Sequence, residues 1–222
     1  MSFGRRLAAE AIGTALLLAV VIGSGIMGER LSGGNAAIAL LANSMATGAA
    51  LVVLILIFGP LSGAHFNPVV TLASALDKTM RWREAFAYIA IQVGAAFAGV
   101  AIAHLMFGEP VFFASLKART GVAQWWSEIV ATFGLLMAIF GCMRYRPDAM
   151  PFAVGLYISA AYWFTASTSF ANPAVTLARA ASDTFAGIRP ADVPEFIAAQ
   201  LVGASLAVVV ARWLYDRSVM KL

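Results

Sequence analysis

The sequence predicts an all-α membrane protein with six transmembrane helices, two re-entrant half-helices and an inverted internal repeat. Three observations carry that prediction. First, 61% of the 222 residues are hydrophobic and only 12% are charged, about half the charge of an ordinary soluble domain. Second, the apolar residues fall in blocks long enough to cross a bilayer, at about residues 7–27, 36–58, 85–107, 123–143, 150–168 and 195–215. Third, the order Glu, Asn-Pro, Gln occurs at Glu10, Asn67-Pro68 and Gln92, and again at Glu128, Asn172-Pro173 and Gln200.

The half-helices follow from the Asn-Pro pairs. Asn caps a helix by accepting an orphan backbone N–H. Pro suits the first helical position and pushes the residue before it out of the α region. A helix therefore begins at each pair. The first is expected over 68–77 and the second over 173–182. Ten residues at 1.5 Å each span about half of a hydrocarbon core. Unwound approaches are expected over 59–66 and 167–171. The two halves divide as 1–110 and 111–222, each with three spans and one half-helix, and Gly108-Glu109-Pro110 opens the connection between them. An odd number of spans per half inserts the second half upside down, which brings the two short helices face to face near the midplane.

Charge sets the expected orientation. With six spans, Arg5, Arg6, Lys78, Arg81, Arg83, Arg144, Arg146, Arg212, Arg217 and Lys221 share one side, against Arg30, Lys117, Arg119, Arg179 and Arg189 on the other. Ten against five places both termini in the cytoplasm, in a multi-pass inner (plasma) membrane protein. Trp82, Trp125, Trp126 and Trp213 fall near span ends, as interfacial anchors do. Gly94, Ala95, Gly99, Gly203 and Ala204 read as packing residues that let helices approach. Arg5-Arg6 before an apolar run resembles a signal peptide, but Glu10 and the repeat favour a retained span.

The chemistry starts from Glu10 and Glu128. A carboxylate within a bilayer is expensive. Either it carries protons or it accepts the N–H groups that a broken helix leaves unpaired, and the second reading is favoured. The half-helix ends are the expected working site. Each N-terminus carries roughly half a positive charge, which repels cations. The Asn67 and Asn172 amides can donate to a neutral oxygen passing between them. One cysteine, Cys142, offers no disulfide and no metal cluster, and neither a metal site nor a cofactor is expected. The dispersed charge of +4 argues against nucleic acid. No nucleophile–base pair or phosphate loop suggests an enzyme, and His104 stands alone in a span.

Ala8-Ala9-Glu10, Ser62-Gly63-Ala64-His65-Phe66-Asn67-Pro68-Val69-Val70-Thr71, Asn172-Pro173-Ala174 and the duplication together resemble the major intrinsic protein family, the aquaporins and aquaglyceroporins, over nearly the whole chain. The resemblance implies an aquaporin-like fold with one pore-forming domain per subunit of a homotetramer. It matches His65 to the His before the family's first motif, read here as a loop-shaping residue. Two departures stand out. The first motif has Val69 where the family has Ala, and Val175 follows the second motif where the family usually has Arg. Arg179, one turn further, is expected to be a surface or helix-end charge. Carried over by spacing without gaps, the outer constriction reads Thr47, Ala160, Ser169 and Val175, a wide and weakly polar throat.

The expected function is a passive channel for small uncharged solutes. Candidates are water, glycerol and other polyols, urea, and neutral metalloid hydroxides such as arsenite, with methylated arsenicals added by the missing arginine. The throat resembles that of bacterial aquaglyceroporins associated with arsenic resistance. The alternative is a proton-coupled secondary transporter using Glu10 and Glu128. An ion-conducting channel is a third reading, opposed by the paired helix dipoles.

Overall fold

The structure is a computed structural model that describes residues 1–215. Eight α-helices form it: α1 (Phe3–Leu31), α2 (Ala36–Ser62), α3 (Pro68–Leu76), α4 (Trp82–Phe107), α5 (Val122–Tyr145), α6 (Met150–Phe164), α7 (Pro173–Arg179) and α8 (Val193–Leu214). Arg217 and Lys221, two of the charges used to orient the chain, lie outside the described residues.

Five helices (α1, α2, α4, α5 and α8) are long and apolar enough to cross a membrane. The sixth predicted span is shorter than expected. Its helix, α6, has 15 residues, about 22 Å of rise, and ends at Phe164 rather than 168. Beyond it the chain turns at Thr165, where Thr168 N–H bonds back to Thr165 O, and reaches α7 through left-handed residues at Thr168, Ser169 and Ala171. A one-turn 3₁₀ segment, Pro147–Ala149, precedes it and carries the tight connection from α5.

The packing is twofold in pattern. Helix α1 packs on α2 and α4, and α5 packs on α6 and α8. The short helices touch across the middle, α3 against α7 and α8, and α7 against α4. The crossings need small residues. A Cβ on Gly99 would collide with Ala15 O of α1, and one on Gly203 with Ile129 of α5. Gly48 of α2 and Gly155 of α6 meet in the same way. Gly94 differs from the expectation, since it faces open space with nothing within 4 Å of a Cβ. Trp82, Trp126 and Trp213 are exposed, whereas Trp125 packs against the cluster around Phe170 and Phe196. The outer surface is apolar, with Leu56, Phe86, Leu105 and Leu156 all exposed, as suits a chain surrounded by lipid.

The approach to α3 is shorter than expected. Helix α2 continues through Pro60 to Ser62, so residues 59–62 are helical. Proline's fixed φ is compatible with a helix, and the missing N–H costs one ladder bond. Gly63, at φ 91°, ends the helix in a left-handed cap. Helix α3 then runs to Leu76 with Asp77 as its cap, one residue short of expectation. Helix α7 stops at Arg179 rather than 182. There Ala181 N–H and Ser182 N–H bond back to Ala178 O and Arg179 O, and a loop folds the chain over the helix end.

Candidate functional site: a central lane between two half-helices

Each short helix starts as its Asn-Pro pair dictates. Asn67 caps α3 by accepting Val69 N–H at 3.0 Å, and Asn172 caps α7 by accepting Ala174 N–H at 3.0 Å and Val175 N–H at 3.3 Å. Pro68 and Pro173 hold the first helical positions. The two tips are clasped reciprocally. Asn67 Nδ2 donates to Ala171 O at 2.7 Å, and Asn172 Nδ2 donates to Phe66 O at 2.8 Å. Those two carbonyls belong to residues in the left-handed region, Phe66 at φ 49° and Ala171 at φ 47°. That conformation is strained for side chains of this kind, and a dense set of bonds around it holds it. An amide NH₂ has two donors. The clasp uses one from each Asn, leaving one for anything between the tips.

Glu10 and Glu128 sit behind the tips, fully buried. Glu10 accepts from Ser62 Oγ (2.7 Å), His65 N–H (2.9 Å), Phe66 N–H (2.8 Å) and Gln92 Nε2 (2.9 Å). Glu128 accepts from Phe170 N–H (2.8 Å), Ala171 N–H (2.9 Å) and Gln200 Nε2 (2.6 Å). The glutamines continue the network: Gln92 donates to Thr71 Oγ1 at 3.0 Å, and Gln200 to Thr176 Oγ1 at 2.8 Å. Each threonine in turn donates to the carbonyl of its own capping Asn. So the repeated order Glu, Asn, Thr, Gln is one hydrogen-bonded unit made twice. In the sequence alone the glutamines stand only as markers of the repeat. Their role was legible in principle, because a Gln in an apolar span needs partners.

His65 contacts Thr71 Oγ1 through Nδ1 at 3.1 Å and lies edge-on to Tyr88. His104 is not alone: its two ring nitrogens are 2.8 Å from Val111 O and from Ser182 Oγ, tying α4 to the loops at its end.

A single cavity of about 440 Å³ runs past both tips. Arg6, Asp77, Arg144 and Tyr215 line it at the end that carries the N-terminus, His65, Asn67, Val70 and Asn172 line its middle, and Thr47, Ser169, Phe170, Val175 and Arg179 line the other end. Between the polar points the wall is aliphatic, from Leu17, Val21, Leu51, Ile55, Leu135 and Ile158. Glu10 and Glu128 are not among the lining residues. Val69 and Ala174 are fully buried beside the tips and do not line the cavity.

Two sequence expectations at the outer end need correction. Ala160 is exposed on the outer face of α6 and does not reach the cavity. The residues of α6 that do are Met150, Val154, Ile158 and Tyr162, at helical spacing. Tyr162 also meets Thr47, with 3.3 Å between their hydroxyls. Gapless counting missed by two residues because α6 ends at Phe164 and the turn with left-handed residues that follows does not keep helical register. Arg179 is not a surface charge. It is 1% exposed and its guanidinium carbon stands 3.4 Å from the Phe170 ring centroid.

The loop after α4 closes this end. Arg119, also buried, lies 4.9 Å from the same Phe170 ring and donates to Gly187 O, Ser167 O and Thr168 Oγ1. Burial lowers its pKa to about 10. Lys117 sits over the Phe185 ring, and burial, with Arg119 and Arg179 nearby, lowers it to about 8.

Two inverted halves, clasped at their half-helix tips beside one cavity that runs past both, define a membrane channel rather than an enzyme. A profile of the major intrinsic protein family matches residues 1–161, and the chain belongs to that family. It is 57% identical over 210 residues to the aquaglyceroporin AqpS of Rhizobium meliloti (strain 1021), covering 95% of this chain and 90% of that one. It is 31% identical over 184 residues to aquaporin NIP1-3 of Oryza sativa subsp. japonica, covering 80% of this chain and 63% of that protein. Its fold is like that of the aquaglyceroporin from Plasmodium falciparum, with a TM-score of 0.71 at 22% identity over 97% of this chain and 96% of that one.

Proposed function

We propose that the chain is a passive channel for small uncharged solutes: water, glycerol and other polyols, urea, and neutral metalloid hydroxides such as arsenite, with methylated arsenicals included. The reciprocal Asn clasp on the cavity that runs past both tips carries this reading. It leaves one amide donor from each Asn for the solute, in a lane whose other walls are largely aliphatic. Two half-helix N-termini at that point raise the energy of any cation. Thr47, Ser169 and Val175 are small, and this supports a throat that admits polyols beside the one bulky α6 residue at that end, Tyr162. The 57% identical relative is named an aquaglyceroporin, which supports the same class of cargo.

The proposal extends to the assembly. The halves 1–110 and 111–222 form one pore domain, the apolar exterior suits both lipid and a homotetramer, and the positive-inside count places both termini in the cytoplasm at the inner membrane. A proton-coupled carrier would need Glu10 or Glu128 to face the lane. Both are instead surrounded by donors and away from the cavity. The test is stopped-flow flux in proteoliposomes with a panel of water, glycerol, urea and arsenite. Flux of each solute, independent of ion gradients, is expected. Water flux with exclusion of the other three would refute the wide-throat reading.

A further inference from the structure

We propose that Arg179 is the cationic selectivity residue of this channel, its guanidinium folded back to the throat that Val175 leaves without a charge. The inference rests on the channel reading above and adds the residue that filters its cargo.

Helix geometry gives the reach. Side chains on a helix tilt toward its N-terminus and cover the preceding turn. The N-terminus of α7 is at the centre of the lane, so Arg179 points back over the turn that carries Val175. The guanidinium carbon 3.4 Å from the Phe170 ring shows how far back it comes, because Phe170 precedes the capping Asn172 by two residues. Both Arg179 and Phe170 line the cavity.

Its hydrogen bonding is unspent. A guanidinium has five N–H donors. Among the described residues, Arg179 uses one side-chain donor, Nε to Ala186 O, and forms no salt bridge. A buried cation without a carboxylate is costly unless its remaining donors find oxygen, and the lane is where oxygen is to be found. Arg119 makes the contrast. It touches the same ring, but Nε and Nη1 are both committed to the loops. Arg119 holds the frame, and Arg179 keeps donors free.

A second group points to the same spot. Ser169 is 3% exposed and lines the same end of the cavity as Arg179, and its Oγ has no partner among the described residues. A hydroxyl able to donate or accept, in the same wall as guanidinium donors, suits a neutral molecule bearing hydroxyl groups. The π face of Phe170 holds the cation flat against the wall, which leaves the lane wider than an arginine projecting across it. The throat is thus both charged against cations and open to solutes larger than water.

The experiment uses the full-length channel in proteoliposomes. Arg179→Ala should raise potassium and proton leak roughly tenfold or more, because a fixed charge is removed from a low-dielectric passage. It should also raise the flux of a four-carbon polyol relative to water. Arg179→Lys should restore the cation barrier but not the wild-type polyol-to-water ratio, since a point charge lacks the planar donor set. In a Cys142→Ser background, Arg179→Cys should react with a charged thiol reagent from the solvent, and labelling should block flux. Wild-type leak and solute order in Arg179→Ala would overturn the proposal. So would failure of the introduced thiol to label, and that readout remains if the alanine variant does not insert. Absence of neutral-solute flux in the wild type would refute the channel reading instead, while leak and labelling still report on Arg179.

Discussion

Replacing Glu128 by Gln separates a strut from a proton carrier. The carboxylate accepts from Phe170 N–H, Ala171 N–H and Gln200 Nε2 at 2.6–2.9 Å, with no exposure to solvent. A Gln side chain offers one oxygen in place of two. With that oxygen toward Phe170, its NH₂ opposes Ala171 N–H; turned over, it opposes Phe170 N–H. Gln200 can turn its own unpartnered Oε1 inward, but a backbone N–H cannot turn. One buried donor is therefore stranded in either arrangement, at about 1–3 kcal/mol, and the surviving bonds lose their charge assistance, about 1 kcal/mol each. The total is about 2–5 kcal/mol, or roughly 5–15 °C in Tm for a chain of this size. Thermal unfolding in detergent, read beside solute flux per folded channel, measures it. The expected variant is less stable and shows no dependence on a pH gradient before or after the change. A variant with the wild-type Tm that loses a gradient-driven uptake would refute the reasoning.

Further outcomes follow from the same structure. Gly99→Ala should cost about 1–3 kcal/mol by driving α4 off Ala15, whereas Gly94→Ala, in open space, should be neutral or stabilising by about 0.5–1 kcal/mol; denaturation midpoints compare them. Val175→Arg should suppress larger polyols before water in stopped-flow assays, since a second guanidinium then enters the throat one turn from Arg179. Lys117 should lose its charge around pH 8, seen as a midpoint near that pH in its acylation rate by mass spectrometry. Its folded pKa lies below the value of about 10.4 for a free lysine. The unfolded chain therefore holds the extra proton between about pH 8 and 10.4, so this group makes folding more favourable as pH rises through that window.

The parts of the fold legible in the sequence are those that a bilayer forces on it. Apolar length gives the spans, and Asn-Pro gives the half-helix starts, because few other residues satisfy a buried helix end. Glu10 was legible as a residue owed donors, and four donors surround it. Less legible were features that depend on where a turn of backbone lies in space. Pro60 reads as a breaker, yet the helix passes through it. Ala160 came from counting residues across a segment whose rise per residue changes at Phe164. Arg179, one turn beyond Val175, reads as a surface or helix-end charge. Nothing in the letters says that the following loop folds back to bury it, or that Phe170 waits to receive it.

The reciprocal clasp also has a consequence for biogenesis. Asn67 finds its carbonyl at Ala171, 104 residues later in the chain, and Phe66 waits 106 residues for Asn172. The first half therefore leaves the ribosome with its short helix unlatched and its strained turn at Phe66 missing one of its restraints. Only when the second half threads in with opposite polarity does the clasp close on both loops. Nascent chains stalled before Asn172 should thus show the first loop open to protease, a vulnerability that closes in a single late step of synthesis.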